Sequence, residues 1–299
     1  MRNQSRLFNE LLGQITVNWQ AVPDKPDENP ENTLRALWLS ALGQPVSIQR
    51  LDGRDLPTLD ARSAARLQDL VKRRIGGVPL AYLTNRQSFM GIEMLVGPEA
   101  MIPRKETEVL AGAALGVLGR LGGRRGPIRV IDLCAGSGNV SLALAAHEPE
   151  CTVVGGDISR DAVRLAERNA ARLGLSHRVR FIQSDLFSAF NTQEFLGQVS
   201  LITCNPPYIS SARAELLPPE IAEHEPRLAF DGGPFGVKIL TRVIREAPRY
   251  LKSGSWLALE VGVGQEKAVR GWLERSRAFR EIEHGHDDQG RVRALLAHT

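Results

Sequence analysis

The sequence predicts an α/β fold: a doubly wound, mostly parallel sheet preceded by a small helical domain. Three observations carry this expectation. From Arg129 onward, short apolar runs alternate with stretches of helical spacing. A glycine turn, Gly136-Ser137-Gly138, joins the first of these runs to the first such stretch. The first third of the chain instead shows helical periodicity, with no strand pattern until about residue 86.

The elements follow in order. Arg129–Leu133 is a short apolar strand and Asn139–His147 a helix. Thr152–Gly156 is the next strand, and Ser159–Leu173 a helix that opens on a capping serine. Val179–Gln183 and Val199–Cys204 read as strands, Lys238–Leu251 as a helix and Trp256–Val261 as a strand. Phe279–His284 and Arg291–Ala297 flank Asp287-Asp288-Gln289-Gly290 and form a terminal hairpin, which adds one antiparallel strand.

Upstream, residues 21–32 (AVPDKPDENPEN) are polar and proline-rich, hence a loop. Thr33–Leu42 and Asp60–Ile75 are helical; in the second, Ala64, Leu67, Leu70, Val71 and Ile75 share a face. Its closing Lys72-Arg73-Arg74 reads as a solvated helix end, where positive charge suits the dipole. Phe89, Met90, Ile92, Met94 and Val96, with turns at Gly91 and Gly97-Pro98, read as a hairpin. The expected division is a helical substrate-recognition domain over residues 1–85, a hairpin linker over 86–104 and a catalytic domain over 105–299.

Composition excludes several classes. With 42% hydrophobic and 24% charged residues, the chain has enough apolar side chains for an ordinary globular core. No run of about 18 apolar residues occurs, so no membrane span is expected. The N-terminus carries Arg2, Arg6, Asn9 and Glu10 among its apolar residues and lacks the pattern of a signal peptide. Three cysteines without a C-x-x-C pair fit a reducing cytoplasm. The six histidines show no ligand spacing, so no metal is expected. A net charge of +4 does not demand a nucleic-acid partner, and no direct binding of one is expected. A monomer is the default.

Two constellations carry the chemistry. The strand Val130–Leu133 runs into Cys134-Ala135-Gly136-Ser137-Gly138 and then a helix. Glycines there let the backbone approach a ligand and aim helix amides at it. Asp157, nineteen positions beyond Gly138, ends the next strand, where a carboxylate can accept ribose hydroxyls. Asp185 after the third strand can accept an adenine amine, with Leu186 packed on the ring. These residues indicate a ribose-containing cofactor. A dehydrogenase is disfavoured because Ser141 stands at the third glycine position of its fingerprint, and no His or Lys is placed for hydride transfer.

The second constellation is Asn205-Pro206-Pro207-Tyr208, at the end of strand Val199–Cys204. Two prolines stop the strand and fix the backbone. The Asn205 side-chain oxygen and the Pro206 carbonyl can each accept from one NH2 group, and Tyr208 offers a flat face. Such a site suits a planar NH2 with a delocalised lone pair, aimed at an electrophile. Cys134 and Cys204 read as small apolar filling.

Together these motifs make the chain resemble class I methyltransferases, and more narrowly the HemK/PrmC family of protein-glutamine methyltransferases. The resemblance spans about residues 73 to 296. It is carried by Gly77–Tyr82, Phe89-Met90-Gly91, Ile102–Glu108, the glycine loop, Asn205–Ile209, Glu225–Ala229, and Leu259–Gly262 followed by Gln265. It implies a seven-stranded sheet with one antiparallel strand, with S-adenosylmethionine held by the glycine loop and Asp157, Leu186 by the adenine, and Asn205 touching both cofactor and glutamine amide. It also implies methylation of a glutamine side-chain amide in the Gly-Gly-Gln loop of a peptide chain release factor, at Asn205, Pro206, Pro207 and Tyr208. Alternatives are a glutamine of a ribosomal protein, a small amide metabolite, a nucleic-acid amine, or a non-catalytic binding module. Cys134-Ala135 depart from the family's Gly-Thr, Lys105 from its second proline, His224 from its tyrosine, and Pro234–Val237 from its acidic-glycine pair.

Overall fold

The computed structural model describes residues 2–19, 25, 27–53, 55–122 and 127–299, with side chains from residue 4. It divides into two compact units: residues 1–98 with 218–225, and residues 99–217 with 226–299. Part of the loop expected over residues 21–32 lies outside the described residues.

The first unit holds helices α1 (Arg2–Val17), α2 (Pro30–Ala41), α3 (Ala61–Ile75) and α4 (Leu80–Thr84) and the hairpin β1 (Arg86–Phe89) and β2 (Ile92–Leu95). Helix α2 starts where Asn29 caps the Asn32 amide and Pro30 occupies the first turn, a donor-free position that suits proline. Asp60 caps α3 at the Ser63 amide. Leu11, Ile15, Leu34, Leu37, Trp38, Leu67 and Val71 form the core of the unit. The hairpin groups with this unit, whose first stretch ends at Pro98.

The solvated end expected for α3 holds for Lys72 and Arg73 but not for Arg74. The Arg74 side chain is 9% exposed and bridges Glu220 at 3.1 Å and Glu28 at 3.4 Å. Lys25 meets the other Glu220 oxygen at 2.6 Å. Glu220 comes from a distant stretch of the chain, so no local pattern reveals this ion network.

The second unit continues with α5 (Thr107–Leu121), β3 (Ile128–Leu133), α6 (Asn139–His147), β4 (Cys151–Asp157), α7 (Arg160–Arg172), β5 (Val179–Gln183) and β6 (Val199–Cys204). Two single turns follow, α8 (Ser211–Ala214) and α9 (Pro219–Ala222), the latter within the first unit. Then come α10 (Lys238–Glu246), β7 (Leu251–Glu260), α11 (Glu266–Ser276), β8 (Glu281–His286) and β9 (Val292–His298). The strands form one seven-stranded sheet in the order β5-β4-β3-β6-β7-β9-β8. All neighbours up to β7 are parallel, and β9 runs antiparallel to both β7 and β8. The expected fold class is therefore observed, with its single antiparallel strand. Among the described residues no helix is long and apolar enough to cross a membrane.

Helix α10 ends earlier than expected. Pro248 lacks an N–H and forbids a continued helix, so the chain tightens into a 3-10 turn over Ala247–Arg249. Strand β7 then starts at Leu251, ahead of the expected Trp256, since its polar Lys252–Ser255 run carries no apolar strand pattern. Pairing of β3 with β6 matters most for the site. Leu133 lies opposite Cys204, so the segments after these two strands emerge side by side where the strand order reverses.

Candidate active site

The glycine loop leaves β3 in left-handed backbone: Cys134 has φ 57°, Gly136 55° and Gly138 83°. The two glycines serve different ends. A Cβ on Gly136 would meet nothing within 4 Å, so its face is open. A Cβ on Gly138 would sit 2.7 Å from Phe181 Cζ, so this residue is small to let α6 close on β5. Cys134 takes the left-handed conformation without a glycine, a local strain of the kind that gathers at functional loops. Cys204 is fully buried in the sheet core, and Cys134 packs against that core.

Asp157 locks the loop to the end of β4. One of its oxygens accepts the Gly136 amide and the other the Ser159 amide, both at 2.8 Å. Burial pushes its carboxyl up, against those amides, which favour the charged form. A second acid that sequence reasoning gave no role, Asp132, stands beneath the loop. It accepts the Ser141 hydroxyl at 2.6 Å and amide at 3.1 Å, and the Thr203 hydroxyl at 2.7 Å. It thereby joins β3, α6 and β6. Burial raises its pKa to about 6 despite these hydrogen bonds. The available signal was an acid inside an otherwise apolar strand.

These residues border a cavity of about 1120 Å³, its open mouth included. Cys134, Ala135, Gly136, Ser137 and Asp157 line it from the glycine loop and β4. Asp185 and Leu186 line it beyond β5, and Asn205 and Pro207 beyond β6. Met101, Ile102, Pro103, Arg104 and Thr107 contribute from the segment ahead of α5. Leu186 is itself left-handed, with φ 50°. The Asp185 carboxylate is gripped by Arg242 of α10 at 2.9 and 3.4 Å, a partner absent from the sequence reading. Gly138, Pro206 and Tyr208 are not in the cavity lining.

The Asn-Pro-Pro-Tyr segment is braced from three sides. Ile209 and Asp231 form a bridge, with the Ile209 amide donating to Phe230 at 3.1 Å and the Gly232 amide to Ile209 at 2.8 Å. Gly232 and Gly236 lie against the carbonyls of Pro207 and Tyr208, leaving no room for side chains. The Gln265 amide donates to the Tyr208 carbonyl at 2.9 Å, while its oxygen accepts the Gly262 amide at 2.9 Å. Side chains fix the ends of the motif. Asn205 Nδ2 donates to Thr107 Oγ1 at 3.1 Å. The Tyr208 hydroxyl donates to Glu260 Oε1 at 3.0 Å and accepts from Arg293 at 3.2 Å. Burial and the neighbouring Glu260 push the Tyr208 phenol well above its ordinary value.

Such a site can bind an extended ligand along the glycine loop and present a planar group at Asn205. Its backbone amides, the Asp157 carboxylate and the Asn205 carboxamide come from the ends of strands that are neighbours in the sheet.

Comparisons with known proteins show the family. A family model described as a methyltransferase domain matches residues 126–297. A release factor glutamine methyltransferase of Geobacter sulfurreducens is 40% identical, over 73% of this chain and 72% of that one. One from Moorella thermoacetica is 35% identical, over 87% and 88%. One from Salmonella typhimurium is 38% identical, over 76% and 78%. Among solved structures, the catalytic domain of human METTL16 in complex with a MAT2A 3′UTR hairpin superposes with a TM-score of 0.57 at 16% identity, over 93% and 94% of the chains. That likeness concerns the fold alone.

Proposed function

The chain belongs to the release factor glutamine methyltransferases, and from that premise we propose that it methylates the side-chain amide nitrogen of a glutamine in the Gly-Gly-Gln loop of a peptide chain release factor. It is a methyltransferase.

The donor is S-adenosylmethionine, which when bound supplies an electrophilic methyl group. The fit rests on features of this chain. Gly136 turns an open face to the cavity, and Asp157 stands at its edge with lone pairs beyond those its two amide donors use. Leu186 and Asp185 border the same cavity, where an adenine would lie. The apolar and polar lining together match the character of cofactor sites.

The observation that carries the reading is the adjacency of the two loops, imposed by the pairing of Leu133 with Cys204. It brings the glycine loop and Asn205 to one cavity. There Asn205 Oδ1 accepts from the substrate NH2, which aims its nitrogen; the Pro206 carbonyl, expected as a second acceptor, lies outside the cavity lining and is given no part. A carboxamide nitrogen is a weak nucleophile, so orientation supplies most of what the protein can add. Its proton leaves after transfer, when the nitrogen is acidic, so no strong base is required. The helical unit recognises the protein substrate, and the enzyme works in the cytoplasm as a monomer.

The test is methyl transfer from labelled S-adenosylmethionine to purified release factor, beside a factor with Gln→Ala in its Gly-Gly-Gln loop. Label on the intact factor alone is expected. Equal label on both would remove the assigned target, and label on neither would remove the release factor as substrate.

A further inference from the structure

Gln265 stands between main-chain groups of opposite character. The Gly262 amide can only donate, and it meets Gln265 Oε1 at 2.9 Å. The Tyr208 carbonyl can only accept, and it meets Gln265 Nε2 at 2.9 Å. The same nitrogen makes a longer contact, 3.5 Å, with the Gly236 carbonyl. None of these backbone groups can reverse its role, so the carboxamide has one orientation. A half-turn would set donor against donor and acceptor against acceptor.

The turn between β7 and α11 is shaped around this side chain. A Cβ on Gly262 would fall 2.9 Å from Gln265 Oε1 and 3.0 Å from Tyr208 Cδ2. Gly262 lacks the left-handed backbone that calls for glycine, so close approach is its reason for being small. The Tyr208 ring and the Gln265 amide therefore both press on the same glycine.

This hold reaches Asn205 through the chain. Proline rings fix φ at Pro206 and Pro207, so few free rotations separate the Tyr208 carbonyl from Asn205. On its other side Asn205 follows Cys204, which pairs with β3 and β7. A stiff segment fastened at both ends has little freedom to carry Asn205 away from the cavity it lines. We infer that Gln265 is a positioning residue: its carboxamide nitrogen holds the Tyr208 carbonyl and thereby places Asn205 for the substrate amide. The inference rests on the proposed role of Asn205. Gln265 does not line the cavity, so it acts through the segment and not on the substrate.

The experiment compares the wild type with Gln265→Glu and Gln265→Met. Glutamate keeps the shape and an acceptor for Gly262, but an ionised carboxylate has no hydrogen for Tyr208. Methionine keeps the length and loses both bonds. Both variants are expected to lower kcat on release factor by about tenfold or more, with KM and S-adenosylmethionine affinity within about threefold, since placement alone is lost. A residue needed only for its shape would leave Gln265→Glu near the wild type. A second readout by NMR needs no protein substrate. The Tyr208 carbonyl-carbon shift, which reports the hydrogen bond it accepts, is expected to move in both variants. Exchange of the Gly262 amide is expected to stay slow in Gln265→Glu and to quicken in Gln265→Met. Near-normal kcat in Gln265→Glu, a loss confined to KM or donor affinity, or an unmoved Tyr208 carbonyl in both variants overturns the inference. If the wild type leaves release factor unmethylated, the substrate assignment falls, and the Tyr208 carbonyl still decides whether Gln265 holds the segment.

Discussion

Glu220 in the helical unit and Glu260 in the sheet unit are both removed from water, yet their carboxyls are driven in opposite directions. Burial raises Glu220, but Lys25 and Arg74 more than offset it and its pKa is lowered. Glu260 has Arg293 only at 4.0 Å and is otherwise met by the Tyr208 hydroxyl, so burial wins and its pKa rises to about 7. Asp132, met by Ser141 and Thr203, behaves as Glu260 does. Two close cations make a buried acid a permanent charge that holds elements together. Hydroxyls leave it near its titration point, where its hydrogen-bond pattern can change. Of these three acids, only Asp132 lines the cavity.

The largest effect is expected at the site end of the same unit. Asn205→Ala is expected to lower turnover by about a thousandfold, equivalent to about 4 kcal/mol. S-adenosylmethionine affinity should stay within about tenfold. Turnover near that of the wild type would refute the assigned role of Asn205.

Glu220→Ala addresses the other kind of acid. It leaves Arg74, 9% exposed, without its main partner. Breaking a buried pair this way should cost about 3 kcal/mol, seen as a lower urea midpoint, with donor affinity unchanged. A stability loss under about 0.5 kcal/mol would show that the network is surface-like. Asp157 lies between the two kinds, raised by burial but held by amides. Asp157→Ala should weaken S-adenosylmethionine binding by about thirtyfold in calorimetry, about 2 kcal/mol, as ribose hydroxyls and the Gly136 amide lose an acceptor. Unchanged affinity would refute the ribose assignment.

The sequence displays these regions unequally. Strand and helix alternation, the glycine turn and the Asn-Pro-Pro-Tyr segment are local patterns, and β5, β6 and α6 begin and end where periodicity places them. Helix α5 went unread because its Gly112, Gly116 and Gly119 mask an apolar helical face. The partners of the acids are invisible for a different reason. Glu260 lies 52 positions from Tyr208, and Glu220 lies 146 positions from Arg74. Arg242 on Asp185 is likewise a gift of the fold, 57 positions away. Periodicity reports which face of an element is buried. It does not report which distant side chain closes over a charge.

Asp132 gives the smallest predicted effect and the cleanest comparison with Glu220. Its folded pKa, about 6, lies above its ordinary 3.8. Between those values the folded protein keeps a proton that the unfolded chain has released. The stabilisation is complete below pH 3.8 and is lost as pH rises through 6. An asparagine does not titrate. From pH 5 to pH 7 the wild type should therefore lose about 1 kcal/mol of stability relative to Asp132→Asn. Glu260 titrates over a higher window in both proteins, so its share cancels in the difference. Parallel unfolding free energies at pH 5, 6 and 7 would show that Asp132 is as firmly charged as Glu220. The hydroxyls of Ser141 and Thr203 would then do for an acid what two cations do elsewhere, and the distinction between the two regions would rest on Glu260 alone.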